Sequence, residues 1–185
     1  ANQLLETDGS GNLDWVAAGS GALVYITSVT ASAGASIDFD GSLTSTYDRY
    51  LFVGTDIYPS TDAQYLTCRT DTAGGASWDA GASDYSWVAG IHNQSTGAVG
   101  PDADTTSAYI GMSGDTFASE VAIGNAADEC CQFSMWVNNP SGTTYKKLVS
   151  GEVHIVTSTG ISGSVQFSGQ RMATPAIDSI QFLMA

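Results

Sequence analysis

The sequence predicts an all-β protein: an antiparallel, jelly-roll-like β-sandwich of about nine to eleven strands with an N-terminal arm. Three observations support this prediction. Apolar and polar residues alternate over short runs, which is the periodicity of strands that bury one face. Helical periodicity is nearly absent. Clusters of Gly, Asn, Asp, Ser and Pro separate the runs, as turns separate the strands of a sandwich.

The start of the chain differs from the rest. Residues 1–20 are rich in Gly and Ser and carry few apolar side chains, so they cannot form a core by themselves. We predict that they form an arm or connector that packs on a neighbour, and that residues 21–185 form the sandwich domain. The apolar anchors of this arm are Leu4, Leu5, Leu13, Trp15 and Val16.

The candidate strands follow one another from residue 23 to the last residues of the chain. A helix over residues 118–130 competes with one of them, although Gly124 and Asn125 weaken it. In chain order the candidate strands are residues 23–29, the segment around Ile37 and Phe39, and residues 49–58, 64–70, 85–92, 107–112, 120–123, 131–137, 147–157, 163–170 and 179–184.

Alternation also predicts which side chains of a strand face the core. The clearest case is residues 131–137, where every second residue is apolar. We expect the apolar set to face inward and the other set to face outward. The inward set is Cys131, Phe133, Met135 and Val137, and the outward set is Gln132, Ser134 and Trp136.

The chain is strongly acidic, with 19 acidic and 5 basic residues and a formal charge of −14. Such a surface repels phosphate backbones and anionic lipids, so we expect neither a nucleic-acid partner nor a membrane-surface partner. No apolar run reaches the roughly eighteen residues of a membrane-spanning helix. The first residues carry no secretory signal pattern, so we expect either a removed leader or release by lysis.

The three cysteines leave two alternatives open. Cys68 can form a disulfide with Cys130 or Cys131, which leaves one thiol free. The favoured interpretation is three buried thiols that pack as small hydrophobic side chains, because Cys is among the most buried residue types. The sequence has no C-x-x-C pair, so it predicts no structural zinc site.

Several short stretches of the sequence resemble segments of known proteins. Residues 5–16, LETDGSGNLDWV, resemble a segment common in phage tail-fibre and appendage proteins. Residues 35–40 with 47–52, and residues 69–85, resemble a module of phage structural proteins, and residues 180–184 are similar to its last strand but one. The resemblance implies a virion surface protein. Such modules usually continue into a further hairpin, so the domain is either complete at Ala185 or borrows a strand from a partner.

Catalysis has few candidate residues. His92 and His154 are far apart in sequence, and neither a G-x-S-x-G nor an H-E-x-x-H motif accompanies them. Carboxylates are plentiful, but most lie in Gly- and Ser-rich turns, where solvated Asp is expected. We therefore predict a protein that is not an enzyme and has no cofactor, with calcium as the best candidate if one is bound.

The calcium hypothesis depends on two groups of oxygen ligands. Side chains in the first group alternate as in calcium loops, but no Glu closes the loop at its twelfth position. Solvated turns are the simpler interpretation of both groups. The first group is Asp8, Ser10, Asn12 and Asp14, and the second is Asp102 and Asp104 beside Thr105.

Aromatic side chains suggest a sugar ligand. Exposed Tyr and Trp rings stack on pyranose rings, while carboxylates and amides bind the hydroxyl groups. Core or interface packing is the more common role of an aromatic side chain in a sandwich. The candidate residues for contact with a glycan or receptor are Trp78, Tyr85, Trp87 and Trp136.

The function expected from these observations is that of a virion structural domain in a tail fibre or appendage. We expect it to act in assembly and host attachment at the virion surface, with copies of itself, as a trimer, and other virion proteins as partners. A host-surface glycan is the candidate ligand, with core or interface packing of the aromatic residues as the favoured alternative. Two alternatives are a capsid decoration protein and a secreted, lectin-like module.

Overall fold

The structure is a computed structural model that describes residues 3–7, 13–17, 23–31, 34–95, 97–115 and 121–185. Within these ranges every regular element is a strand, and all paired strands are antiparallel. The strands are β1 (Gln3–Thr7), β2 (Leu13–Ala17), β3 (Ser36–Phe39), β4 (Arg49–Ile57), β5 (Leu66–Asp71), β6 (Tyr85–Asn93), β7 (Gly97–Ser107), β8 (Ile110–Gly111), β9 (Cys131–Asn138), β10 (Leu148–Val156), β11 (Ser162–Arg171) and β12 (Ser179–Met184).

Ten of these strands form two antiparallel sheets. The larger sheet has six strands in the order β4-β9-β10-β11-β6-β7, and the smaller has four in the order β3-β12-β5-β8. Most connections between β3 and β12 cross from one sheet to the other. The predicted antiparallel β-sandwich is therefore confirmed, and its strand number falls in the predicted range.

The core lies between the two sheets and follows from period-two alternation. The four residues of β9 predicted to face inward are all buried, and the buried residues of β10 and β11 alternate with exposed ones in the same way. Contacts between the sheets join this layer to β12 and β5. The ring centroids of Phe133 and Phe182 are 4.8 Å apart, and the Cys68 Sγ lies 3.9 Å from the Met135 Sδ.

Strands β3 and β4 lie opposite each other at one edge of the sandwich. Each is the outer strand of its sheet. Their aromatic side chains meet across the edge, because the ring centroids of Phe39 and Phe52 are 5.2 Å apart in an edge-to-face arrangement. The regular part of β4 ends at a bulge between Gly54 and Ile57, where Asp56 has a φ of 55°.

At the other end of the smaller sheet, β8 passes directly over the indole of Trp87. A Cβ atom at Gly111 would lie 2.7 Å from the Cζ2 of Trp87, so only a glycine allows this approach. Trp87 is buried as a result, together with Tyr85, Ala89 and Ile91 on the inward side of β6.

The first predicted strand is wrong. Residues 23–30 have no strand structure, and the large apolar side chains of this segment are exposed. The alternation of apolar residues correctly marks a segment that favours an extended backbone, but no strand among the described residues pairs with it. Local sequence preference does not provide a hydrogen-bonding partner.

Two other predicted runs need correction. The strand predicted at residues 120–123 is wrong, because Ile123 forms only isolated bridges to Gln64 and Thr157, and Glu120 lies outside the described residues. The run predicted at residues 107–112 is divided between the end of β7 and the short β8. Most of β7 was not predicted, because this strand is rich in Gly, Asp and Thr and has few apolar residues.

The predicted arm contains a separate two-stranded sheet. Strands β1 and β2 pair from Gln3 with Ala17 to Thr7 with Leu13. This hairpin is a sheet of its own beside the six-stranded and four-stranded sheets. The proposed boundary at residue 20 stays a prediction.

Candidate functional site

The outward side of the six-stranded sheet presents an open, mainly polar surface, which we call the outer face. We define it by four rows of cross-strand neighbours on β4, β9, β10, β11 and β6. The rows are Gln132, His154, Ser164 and His92; Val53, Ser134, Glu152, Gln166 and Gly90; Leu51, Trp136, Ser150, Ser168 and Val88; and Arg49, Asn138, Leu148, Gln170 and Ser86.

Trp136 is the aromatic residue of the outer face. It is half-buried, as expected for a residue predicted to lie on the polar side of its strand. The guanidinium carbon of Arg49 lies 4.4 Å from the centre of its indole. Arg49 also donates from its Nε to the Oδ1 of Asn138 at 2.9 Å. The stacked arginine and its amide partner therefore hold the ring in place.

Leu51 lies on one side of the indole in this row, and two serines follow it on the other side, so the surface on that second side is shallow. Ser150 pairs with Trp136 across the strands, and Ser168 pairs with Ser150. Both serines are exposed. Small hydroxyl side chains next to a large flat ring leave room for a flat ligand and offer hydrogen bonds to it.

Polar side chains border this space. Gln166 and Glu152 are exposed cross-strand neighbours in the next row. The Nε2 of Gln170 donates to the Oγ of Ser86 at 2.8 Å, which fixes one amide on the other side of the row. Amides, hydroxyls and a carboxylate around an aromatic ring form a donor and acceptor set suited to sugar hydroxyl groups.

The two histidines share one row of the outer face, which the sequence analysis did not predict. Ser164 lies between His154 and His92 in the cross-strand register. The Nε2 of His154 is 3.9 Å from the Oε2 of Glu152, and both side chains are about half exposed. Across the described ranges of the chain, no hydrogen bond joins either histidine to Ser164.

Tyr85 and Trp87, two of the predicted glycan contacts, are core residues, so the structure contradicts that part of the prediction. The hydroxyl of Tyr85 accepts a hydrogen bond from the backbone N–H of Thr70 at 2.8 Å, and burial raises the pKa of Tyr85. Their alternation with Ala89 and Ile91 could have identified both as inward-facing.

Trp78 is half-buried in the loop between β5 and β6 and is not part of the outer face. The four aromatic residues therefore do not form one cluster. Trp136 is the member that the structure places beside exposed polar side chains.

The structure describes only part of the first group of candidate metal ligands. Asp8, Ser10 and Asn12 lie outside the described residues, and Asp14 is a residue of β2. Within the residues that the structure describes, no three His, Cys, Asp or Glu side chains come together as a metal site.

The second candidate pair binds backbone groups. The Oδ2 of Asp102 accepts from the N–H of Asp115 at 2.7 Å, and the Oδ1 of Asp104 accepts from the N–H of Thr106 at 2.9 Å. Asp102 is buried. Burial, followed by the charge of Asp102, raises the pKa of Asp115.

All three cysteines are free thiols in the structure. Cys68 and Cys131 are buried, and Cys130 is half-buried. Burial raises the pKa of the Cys68 thiol and of the Cys131 thiol to about 12. A thiol with such a pKa carries almost no thiolate at neutral pH and is a poor nucleophile.

Comparisons of the chain with protein-family models, with curated proteins and with solved structures found no match. The part of the chain that the structure describes contains no helix long and apolar enough to cross a membrane. The fold and the outer face define the chain as an antiparallel β-sandwich with an open polar sheet surface.

Proposed function

We propose that this chain is a non-enzymatic structural domain of a phage virion, in a tail fibre or another appendage, and that its outer face contacts glycan on the host surface. The observation that carries the proposal is the Trp136 indole, held by Arg49 at 4.4 Å beside exposed serine hydroxyls. The resemblance of residues 5–16 to appendage segments supports the virion setting.

The shape of the surface suggests the class of ligand. The outer face is a sheet surface rather than a deep pocket, so it fits a polysaccharide chain or a crowded glycan layer better than an enclosed small molecule. Many copies on one particle add their weak contacts together through avidity. The chain's charge of −14 favours neutral or cationic glycans over phosphorylated or sulfated ones.

A glycan array with the purified chain, followed by titration calorimetry, tests this proposal. We expect binding of at least one neutral glycan class. Trp136→Ala is expected to weaken it about tenfold or more, because Trp is among the side chains that contribute most to binding surfaces and a loss of about 1.4 kcal/mol is a factor of ten in affinity. Tyr145→Ala, which removes an exposed aromatic ring from the loop after β9, is the matched control and should bind like the wild type. Equal binding by all three proteins would contradict the proposed site.

Capsid decoration is a second candidate, favoured by the exposed apolar segment at residues 23–29, which is suited to docking. Mixing the chain with empty phage heads and with tails, followed by sedimentation, distinguishes the two. Co-sedimentation with heads, together with no glycan or host-cell binding, would replace the appendage proposal. Glycan binding without association with any virion protein would support a lectin-like module instead.

A further inference from the structure

An apolar groove runs along the edge of the sandwich where β3 and β4 meet. Its volume is about 740 Å³. One wall is the extended segment of residues 23–29, and the other is the first part of β4 with Phe39, Ser42 and Tyr47. The residues of β4 that line it are 49–53, which end just before the bulge.

The segment is apolar on both of its sides, and neither side is covered. Its large apolar side chains have exposed fractions between 44% and 77%. Strands that are apolar on both faces normally have both faces covered by other structure. The five exposed side chains are Leu23, Val24, Tyr25, Ile26 and Val29.

The opposite wall of the groove is an unpaired sheet edge. Strand β4 is the outer strand of its sheet and pairs only with β9 among the strands of the described chain. Its outward Val53 is 65% exposed. An open edge beside an apolar surface is a template for pairing with another chain. Among the described residues, one chain therefore carries both a strand-forming segment and a sheet edge that pair with no other strand.

Charge indicates what covers this groove. Residues 23–31 contain no charged side chain, in a chain whose formal charge is −14. The residues that line the groove include no carboxylate, and Arg49 is the one charged residue among them. Two copies repel each other over most of their surfaces, so they can approach most closely where neither carries a carboxylate. The apolar segment and the edge strand β4 belong to the same chain. The segment of each copy can therefore pack on the edge strand of the other copy, which is a self-complementary contact.

We propose that copies of this chain associate through residues 23–29, with the segment of one copy packed into the groove along residues 49–53 of another. This inference deepens the assembly part of the proposed function and rests on it, and it does not depend on glycan binding. It names the surface through which several copies hold their outer faces side by side.

Sedimentation equilibrium of the full chain between about 1 and 100 μM tests the inference. We expect the wild type to exceed the 19.1 kDa of a single chain within this range. The variant Tyr25→Asp/Ile26→Asp places two carboxylates in each apolar segment and should weaken association at least about tenfold, since a buried unpaired charge is costly. Val53→Asp makes the corresponding change on the opposite wall and should do the same.

The matched control is Val88→Asp, on the outer face, because the exposed fraction of Val88 is 48% and that of Ile26 is 47%. It should associate like the wild type. Circular dichroism and the melting temperature show whether each variant keeps its fold. If Tyr25→Asp/Ile26→Asp does not fold, the association of Val53→Asp alone tests the inference. A wild type that is monomeric at 100 μM, or groove variants that associate like the control, would overturn the inference.

Glycan binding distinguishes this inference from the proposed function. Arg49 and Leu51 line the groove and also belong to the outer face, but Tyr25→Asp/Ile26→Asp leaves them and Trp136 unchanged. This variant, when monomeric, should therefore still bind glycan at each single site. Loss of association with retained binding supports both proposals. Retained association with no glycan binding by any variant would remove the attachment function and leave the interface in place.

Discussion

At the scale of single residues, Asp71 shows how one buried carboxylate organises a loop. It lies at the end of β5, and its Oδ1 accepts from the N–H groups of Thr72 and Ala73 at 2.6 and 3.1 Å. Its Oδ2 accepts from the N–H of Ser77 at 3.0 Å. Burial on its own would raise the pKa of Asp71, but these bonds and one from Gly75 outweigh burial and lower it.

The lowered pKa predicts a contribution to stability that depends on pH. Asp71 binds its proton less tightly in the folded chain than in the unfolded chain, so its contribution is present above pH 3.8 and is lost as the pH falls through the folded pKa. Asp71→Asn keeps the shape but leaves one oxygen where two accept now. We expect it to lower the unfolding free energy at pH 7 by about 1–3 kcal/mol.

Urea unfolding of Asp71→Asn at pH 7 and at pH 3 provides the measurement. The difference between variant and wild type should shrink at the lower pH, because the wild-type carboxylate is then becoming protonated. The exposed Asp128→Asn serves as the control and should change the unfolding free energy little at either pH. A loss for Asp71→Asn that is equal at both values would show that the charge of Asp71 plays no part.

The sequence reveals residue roles unevenly. It correctly placed Trp136 on the outward side of β9, because the alternation of seven residues defines both sides of that strand. It assigned Tyr85 and Trp87 to a binding surface because they lie near loops in the sequence. The pairing of Arg49 with Trp136 could not be predicted, since it depends on β4 lying next to β9 in the sheet.

At the scale of elements, strands were predicted well where alternation was regular. The final strand, β12, has its predicted bounds, and each end of β9, β10 and β11 lies within one residue of the predicted one. The strand prediction failed in two places. Residues 23–29 have the composition of a strand but pair with no described strand, whereas β7 pairs with β6 but lacks the composition typical of a strand.

The crossing of β8 over β6 predicts a site that is sensitive to small changes. A Cβ atom at Gly111 would lie 2.7 Å from the Trp87 ring, so Gly111→Ala must displace the ring or the strand. We expect a destabilisation of about 1–3 kcal/mol, the usual cost of overpacking a core. Thermal unfolding followed by circular dichroism measures it.

Gly90→Ala is the matched control for this prediction. Gly90 also lies in a strand, but a Cβ atom there would meet nothing nearer than the backbone oxygen of Gln166 at 4.0 Å. Its melting temperature should stay close to that of the wild type or rise slightly. Equal melting temperatures for the two variants would show that the packing of β8 on Trp87 is not tight.

At the scale of the whole molecule, the acidic surface sets the response to salt. The formal charge of −14 makes the folded chain repel itself, and salt screens this repulsion. We expect the melting temperature at pH 7 to rise between about 10 and 150 mM sodium chloride, over which the screening length falls from about 30 to 8 Å.

Differential scanning calorimetry at two pH values checks the effect of salt. The sequence pI is about 4.1, so the same salt series at that pH should change the melting temperature much less. A melting temperature at pH 7 that does not change with salt would contradict the role given to net charge.

The fold class could be predicted from the sequence, but the order of the strands in the two sheets could not. Alternation and turns predict two stacked antiparallel sheets, because strands with one apolar face must bury it. The order β4-β9-β10-β11-β6-β7 depends on pairs of strands far apart in the chain, such as β4 with β9. No local pattern specifies such long-range partners.

The alternation that builds the outer face also separates two tasks within each strand. On β9, β10 and β11 the even-numbered positions stand on the solvent side and the odd-numbered ones in the interior, apart from the small Gly151. The outward side chains of these strands can therefore be replaced while the buried side chains between them stay constant. A single deleted residue in β9 would do the reverse, because it would exchange the two sides at once.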